Sequence, residues 1–429
     1  MANDKDFVVN GPVVVGKDTK VTVGTVTSGA VDLSTGNYFV DSPSGAYTYS
    51  FTNPGAVQAF QIEATGGSAA VASAFSTTLY TGTGATQTIT NNIDLAGDGG
   101  LVWTKTRAIS NQSQLFDTAR GGSYALESNT TSGNSGGNTV TFNSNGVTLG
   151  PYSANFNTQS LVAWTFKKQA KFFDIVTWTG DGNSGRQISH NLGSAPAVII
   201  IKSLNFANNW LYNTNFGASS YDLLYLDLTN AASSQNYSTG AVESAPTDST
   251  FTLKNSSSVN GSGNTYVAYL FAHDTASDGL IQCGSFTTDS VDHATITLGW
   301  KPQWLLVKRS DNSSAADWRI IDSVRGVTSA GDAAYLEANT SDAEAQTGDG
   351  IYTFTDTGFT QDNLGASRQY IYMAIRSAAA PAITWPTNIE WTQGTTPKTP
   401  AEGATDVYTF TTDDGGTTYT GIQSIDTAS

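Results

Sequence analysis

Two short segments set an acid beside an arginine at the same spacing: Asp117-x-x-Arg120-Gly121 and Asp322-x-x-Arg325-Gly326. A carboxylate paired with a guanidinium can grip a polar ligand such as a sugar hydroxyl through charge-assisted hydrogen bonds. The same pair can instead be a salt bridge tying a loop to a sandwich edge, with the glycine at positive φ. The pair occurs twice and gives way to Asn213 in a third related segment, which favours the structural role. Trp210 and Trp318 stand beside the polar turns NFANN and DNSSAAD, where an exposed indole can stack on the apolar face of a pyranose. Folded inward, each is a strand-end core residue, and that reading is the stronger one. Trp103, Trp164 and Trp304 lie in strongly apolar strands and read as core.

Other residue types offer less. Glu127 and Glu337 sit in matching LExNT segments, and Asp117 with Glu127 can be imagined as the carboxylate pair of a glycosidase. Duplicating an active site within one chain is unusual, and acids capping turns at strand ends explain the pattern. His190, His273 and His293 fall far apart without ligand spacing, and Cys283 stands alone. No Ser/His/Asp arrangement recurs, so the residues argue against catalysis. Two acidic glycine-rich loops, Asp181-Gly-Asn183-Ser-Gly185 and Asp413-Asp414-Gly415-Gly416, offer oxygen ligands of the kind calcium uses. Both are more simply turns, in which Asp and Gly supply the backbone geometry. No cofactor is expected, with calcium as the one alternative.

The elements that must position these residues follow from composition and repetition. Of 429 residues only 13% are charged, about half the usual globular share, and 43 are glycine. Thr and aromatic residues suit a pleat, whereas Gly, Asn and Ser suit turns, and helical periodicity is absent. The expected fold is all-β. A net charge of −16 repels phosphates and anionic lipids, so neither nucleic acid nor membrane is an expected partner. Self-similarity at about 100 residues then divides the chain. The segments 100–121, 197–217 and 303–326 each carry an apolar strand ending in a lysine (Lys105, Lys202, Lys308), a polar turn and a second strand. Downstream come LESNT (126–130), LDLTN (226–230) and LEANT (336–340), and then the closing strands LVAWTFKK, YVAYLFAH and YIYMAIRS.

The expected organisation is three tandem antiparallel β-sandwich repeats at 70–170, 171–275 and 280–377. They are inserted into a small discontinuous β domain of 33–67 plus 378–429, preceded by an extended arm over 1–32. The insertion is expected because Tyr47-x-Tyr49-x-Phe51 and Phe60-x-Ile62 alternate as half-buried strands, as do Ile383-x-Trp385, Ile389-x-Trp391 and Val407-x-Thr409. Neither group alone has the strands to hold in water.

The opening MANDKDFVVNG, the stretches LSTGNYFVDSPSGAYTYSFTNPGAVQAFQIEATGG and ITWPTNIEWTQGTTPKTPAEGATDVYTFTTDDGGTTYTG, and the elements SQLFDTARG, LESNTT and FNSNGVTLG carry a resemblance. Together they resemble tail-fibre-like virion proteins of marine bacteriophages, whose repeats the resemblance implies to be lectin-like or jelly-roll-like sandwiches, and it covers nearly the whole chain. It implies a virion component, with trimers common among such fibres, and supplies no ligand or binding residue. The expected function is a non-enzymatic structural protein of the particle, a tail fibre or appendage contacting the host surface, with glycan as the partner. A head decoration, collar or fibre-shaft scaffold without ligand is the alternative, and a polysaccharide depolymerase stands behind both. The arm's alternating valines need a partner to cover them, so a homo-oligomer, a trimer, and other phage structural proteins are expected. The start lacks the basic and apolar regions of a secretory signal, so synthesis in the host cytoplasm and residence in the virion are expected.

Overall fold

A computed structural model describes residues 23–27, 30–41, 47–65, 71–151, 154–217, 220–234, 241–276, 278–311, 317–327, 333–346, 351–363, 365–377, 383–392, 394–397 and 405–425. It is all-β, with no helix among the described residues. The chain forms two compact units, one of Met1–Ala69 with Ala380–Ser429 and one of Ala70–Ala379.

In the first unit, strands from both ends of the chain share one eight-stranded sheet. Gln58–Thr65 lies antiparallel to Thr405–Thr412, with Phe60 opposite Phe410 and Ile62 opposite Tyr408. Alternation then puts Phe60, Ile62, Tyr408 and Phe410 on one face, where they pack with Phe39, Tyr49, Trp385 and Tyr419. Tyr49 stacks on Trp385 at 4.8 Å between ring centroids. The boundary expected at residue 33 shifts. Val23–Thr27 and Ala30–Asp32, assigned to the arm by sequence, pair within this sheet, and Val31 is fully buried. The reason is that this sheet has an open edge that those strands cover. The rest of the arm, residues 1–22, lies outside the described residues.

Among the described residues, the second unit holds three pairs of sheets. A five-stranded sheet faces a three-stranded one within 70–170, a six-stranded faces a two-stranded within 171–275, and a six-stranded faces a three-stranded within 280–377. In repeat 1, Val102, Phe116 and Ala163 of the large sheet meet Ile89, Val147 and Leu149 of the small one. Repeat 3 does the same with Leu305, Val307 and Ile321 against Ile296 and Phe359. These are alternate residues of each strand. The residues between them point to the other side of the large sheet, and they are buried as well: every position of Gly100–Thr106 and Val198–Ser203 is buried. The explanation is that the three large sheets cover one another. Phe75 and Phe166 of repeat 1, Phe271 of repeat 2 and Trp304 of repeat 3 meet at centroid distances of 5.7–6.0 Å. Strands buried on both faces read as continuous apolar runs, hence GLVWT, AVIII and QWLLV.

Candidate functional site

The polar residues singled out by sequence converge on the contacts between repeats. Strand pairing gives the equivalences. Lys105 stands opposite Val162, Lys202 opposite Val267 and Lys308 opposite Ile371, the same position of each large sheet. All three side chains are buried, and each ammonium crosses into a neighbouring repeat. Lys202 Nζ donates to the Thr131 carbonyl of repeat 1 at 2.8 Å, Lys308 Nζ to Thr229 of repeat 2 at 3.0 Å, and Lys105 Nζ to Thr340 of repeat 3 at 2.5 Å. The order is cyclic and closes after three steps. Main-chain bonds trace the same circle in the opposite sense: Asn134 N to Leu204 O, Ala232 N to Ser310 O, Glu344 N to Arg107 O. Burial pushes each lysine down to about 8, against the pull of nearby acids.

Trp210 and Trp318 are not exposed platforms. They are 0% and 1% exposed, and each indole N–H donates to a main-chain carbonyl of the preceding repeat. Trp210 Nε1 reaches Glu127 at 2.9 Å and Trp318 Nε1 reaches Tyr225 at 2.8 Å. The sugar-stacking expectation is therefore corrected, because the partner that covers each ring is another part of the same chain. Their backbone amides are held by Asp227 and Asn339, and Asn129 does the same for Ser113 in repeat 1.

The acid–arginine pairs also sit between repeats rather than at a free edge. Arg120 Nε lies 2.5 Å from Asp117 Oδ2, and Arg325 Nε 2.6 Å from Asp322 Oδ2, all four side chains essentially buried. Tyr269 of repeat 2 donates its hydroxyl to Asp117 at 2.7 Å, and Trp164 of repeat 1 donates its indole N–H to Asp322 at 2.9 Å. Arg325 also lies over the Trp164 ring, 5.3 Å from its centroid. With the carboxylates fully buried and their neighbours inside the protein, no ligand reaches either pair, and the ligand-binding role is corrected to a seam.

Two sequence alignments shift. The residue of repeat 2 equivalent to Asp117 is Thr214, not Asn213, because Leu211 stands opposite Ile201 as Gln114 stands opposite Thr104. Likewise Leu224, not Leu226, matches Leu126, since Tyr212 pairs with Leu224 and Leu115 with Leu126. Ungapped comparison of LESNT with LDLTN missed this two-residue offset.

The remaining candidates are accounted for. Glu127 pairs with Gln114, three residues from Asp117 along the same strand, so the two acids lie roughly 10 Å apart on opposite faces of the sheet, which a glycosidase pair does not allow. Asp181 accepts from Asn183 N at 2.9 Å and Asn260 Nδ2 at 2.8 Å, and Asp414 accepts from the Thr418 backbone and hydroxyl and from Thr412. These bonds hold both carboxyls below the usual range and use them as turn caps.

The arrangement nearest to catalytic geometry was not foreseen. His293 Nδ1 lies 2.5 Å from Asp362 Oδ1, and its Nε2 lies 2.8 Å from Thr295 Oγ1. The i, i+2 spacing of His293 and Thr295 was legible, but Asp362 arrives from the paired strand. The carboxylate pulls the imidazole pKa up. The three residues lie on the outer side of a three-stranded sheet, with the His293 and Asp362 side chains 40% and 35% exposed, and water at the site leaves the hydroxyl without a closed electrostatic environment.

No curated protein matches the chain. A family model described as a domain of unknown function does match. This model, DUF7483, matches residues 71–379, the span of all three pairs, and the chain belongs to that family.

Proposed function

We propose that this protein is a non-enzymatic structural component of a bacteriophage particle, a tail fibre or appendage that contacts the host surface. One observation supports it most: the residues suited to chemistry are spent on joining the repeats, as Lys105, Lys202, Lys308 and the two acid–arginine pairs show. The resemblance of its termini and repeats to tail-fibre-like proteins supports the particle as its location. Inside the repeats, three-fold association is satisfied within one chain. Homotrimerisation and attachment to other virion proteins then fall to the first unit and residues 1–22. Mass spectrometry and antibody labelling of purified particles test the reading. The protein should be found in intact virions, and antibody against it should slow adsorption. Absence from particles, or turnover of host capsule by the pure chain, would overturn it.

A further inference from the structure

The two ends of the second unit differ in chemistry. Strand direction places 82–86, 180–185 and 288–292 at one end, together with 107–112, 204–209 and 310–311 after the lysine strands, and 154–159, 255–264 and 365–368 before the closing strands. The first strand of this unit begins and its last strand ends at the other end, at Phe75 and Arg376. That end is charged, with Lys167 paired to Asp98, Lys168 to Asp174 and Lys301 to Asp356.

The loop end is built of amides, hydroxyls and glycines: GTGAT, GDGNSG, LNFANN and NSSSVNGSGN. Its charges are largely consumed internally, as with Asp181, Asp289 bonded to the Val291 and His293 amides, and Arg309 paired with Asp311. Apolar groups stand out among them: Phe156 is 36% exposed and Val291 80%. Phe206 is half-buried against Tyr266, and beside it Asn205 holds both Asn264 and the Thr265 amide.

We propose that this loop end is the contact face for a neutral, hydroxyl-rich glycan, which deepens and rests on the host-contact reading above. Rigid strands hold the loops, amides and hydroxyls supply donors and acceptors at little desolvation cost, and Phe156 and Phe206 supply ring faces. The net charge of −16 disfavours an anionic polymer, which selects neutral sugar.

The test is binding of the full chain to immobilised mannan, dextran and alginate, with Phe156→Ala, Phe206→Ala and Asn205→Ala, and Tyr124→Ala at the other end as control. Thermal melts of each variant check folding. Binding to a neutral polymer should weaken about tenfold in at least one loop-end variant that melts normally, and stay unchanged in Tyr124→Ala. Preference for alginate, no binding to either neutral polymer, or loss only in Tyr124→Ala overturns the proposal. A chain absent from virions that still binds mannan through this end would sink the particle reading and leave this one standing. A virion protein that binds neither neutral polymer does the reverse.

Discussion

The contacts between repeats 1 and 2 and between repeats 3 and 1 differ from those between 2 and 3. All three have the lysine that crosses into the neighbour. Only the first two add a buried acid–arginine pair, and each of those finds an aromatic donor on the facing repeat, Tyr269 or Trp164. In the third, the closing-strand position equivalent to these aromatics is Met373, which has no hydrogen to give, and the acid position is Thr214. The Thr214 hydroxyl is buried without a hydrogen-bond partner. A buried carboxylate needs every lone pair engaged, so loss of the donor and loss of the charge go together. The contact between repeats 3 and 1 has no direct peptide link, and it carries a further charge chain. Arg107 holds Glu344 at 2.6 Å, and Glu344 reaches Arg325 at 3.4 Å.

The largest way to break the comparison is Asp322→Ala, which strands Arg325 in the interior. It should cost about 3–5 kcal/mol in urea unfolding. A cost below about 1 kcal/mol would show that the pair is not buried as described. Lys202→Met leaves the Thr131 and Asn208 carbonyls without their donor and should cost about 1–3 kcal/mol. Glu344→Gln weakens a partly exposed pair and should cost about 1 kcal/mol, a loss that salt masks. Thr214→Val should be neutral or slightly stabilising, within about 0.5 kcal/mol, because it removes an unsatisfied hydroxyl without changing shape. If Thr214→Val costs as much as Asp322→Ala, the difference between the contacts is not polar in origin.

The lysines also set a pH dependence. Their folded pKa of about 8 lies below the ordinary 10.5, so between these values the unfolded chain binds more protons. Stability therefore rises with pH from about 8 upward. Buried tyrosines with raised pKa, such as Tyr372, act oppositely once the unfolded phenols ionise, near pH 10. Thermal melts across pH 7–11 should show a maximum near pH 10. Lys202→Met should flatten the rising limb, and a melt that falls steadily from pH 8 would contradict the burial of these amines.

The period-two alternation of Phe60-x-Ile62 and the recurrence of lysine after an apolar run were legible because strand period and internal repetition are local properties of the chain; in Val407-x-Thr409 the strand was right and the face was not, since Tyr408 and Phe410 turn to the core. Alternation and repetition determined the all-β class and which segments correspond. What each polar residue does was decided by tertiary structure. Asp117 and Trp210 have the same local signature whether they face a sugar, solvent or another repeat. Only the closure of three large sheets about one another puts Tyr269 on the first and Glu127 on the second. Likewise Asp362 stands beside His293 because two strands pair across 69 residues of chain, and pairing partners are set by the burial of whole faces rather than by neighbours in sequence.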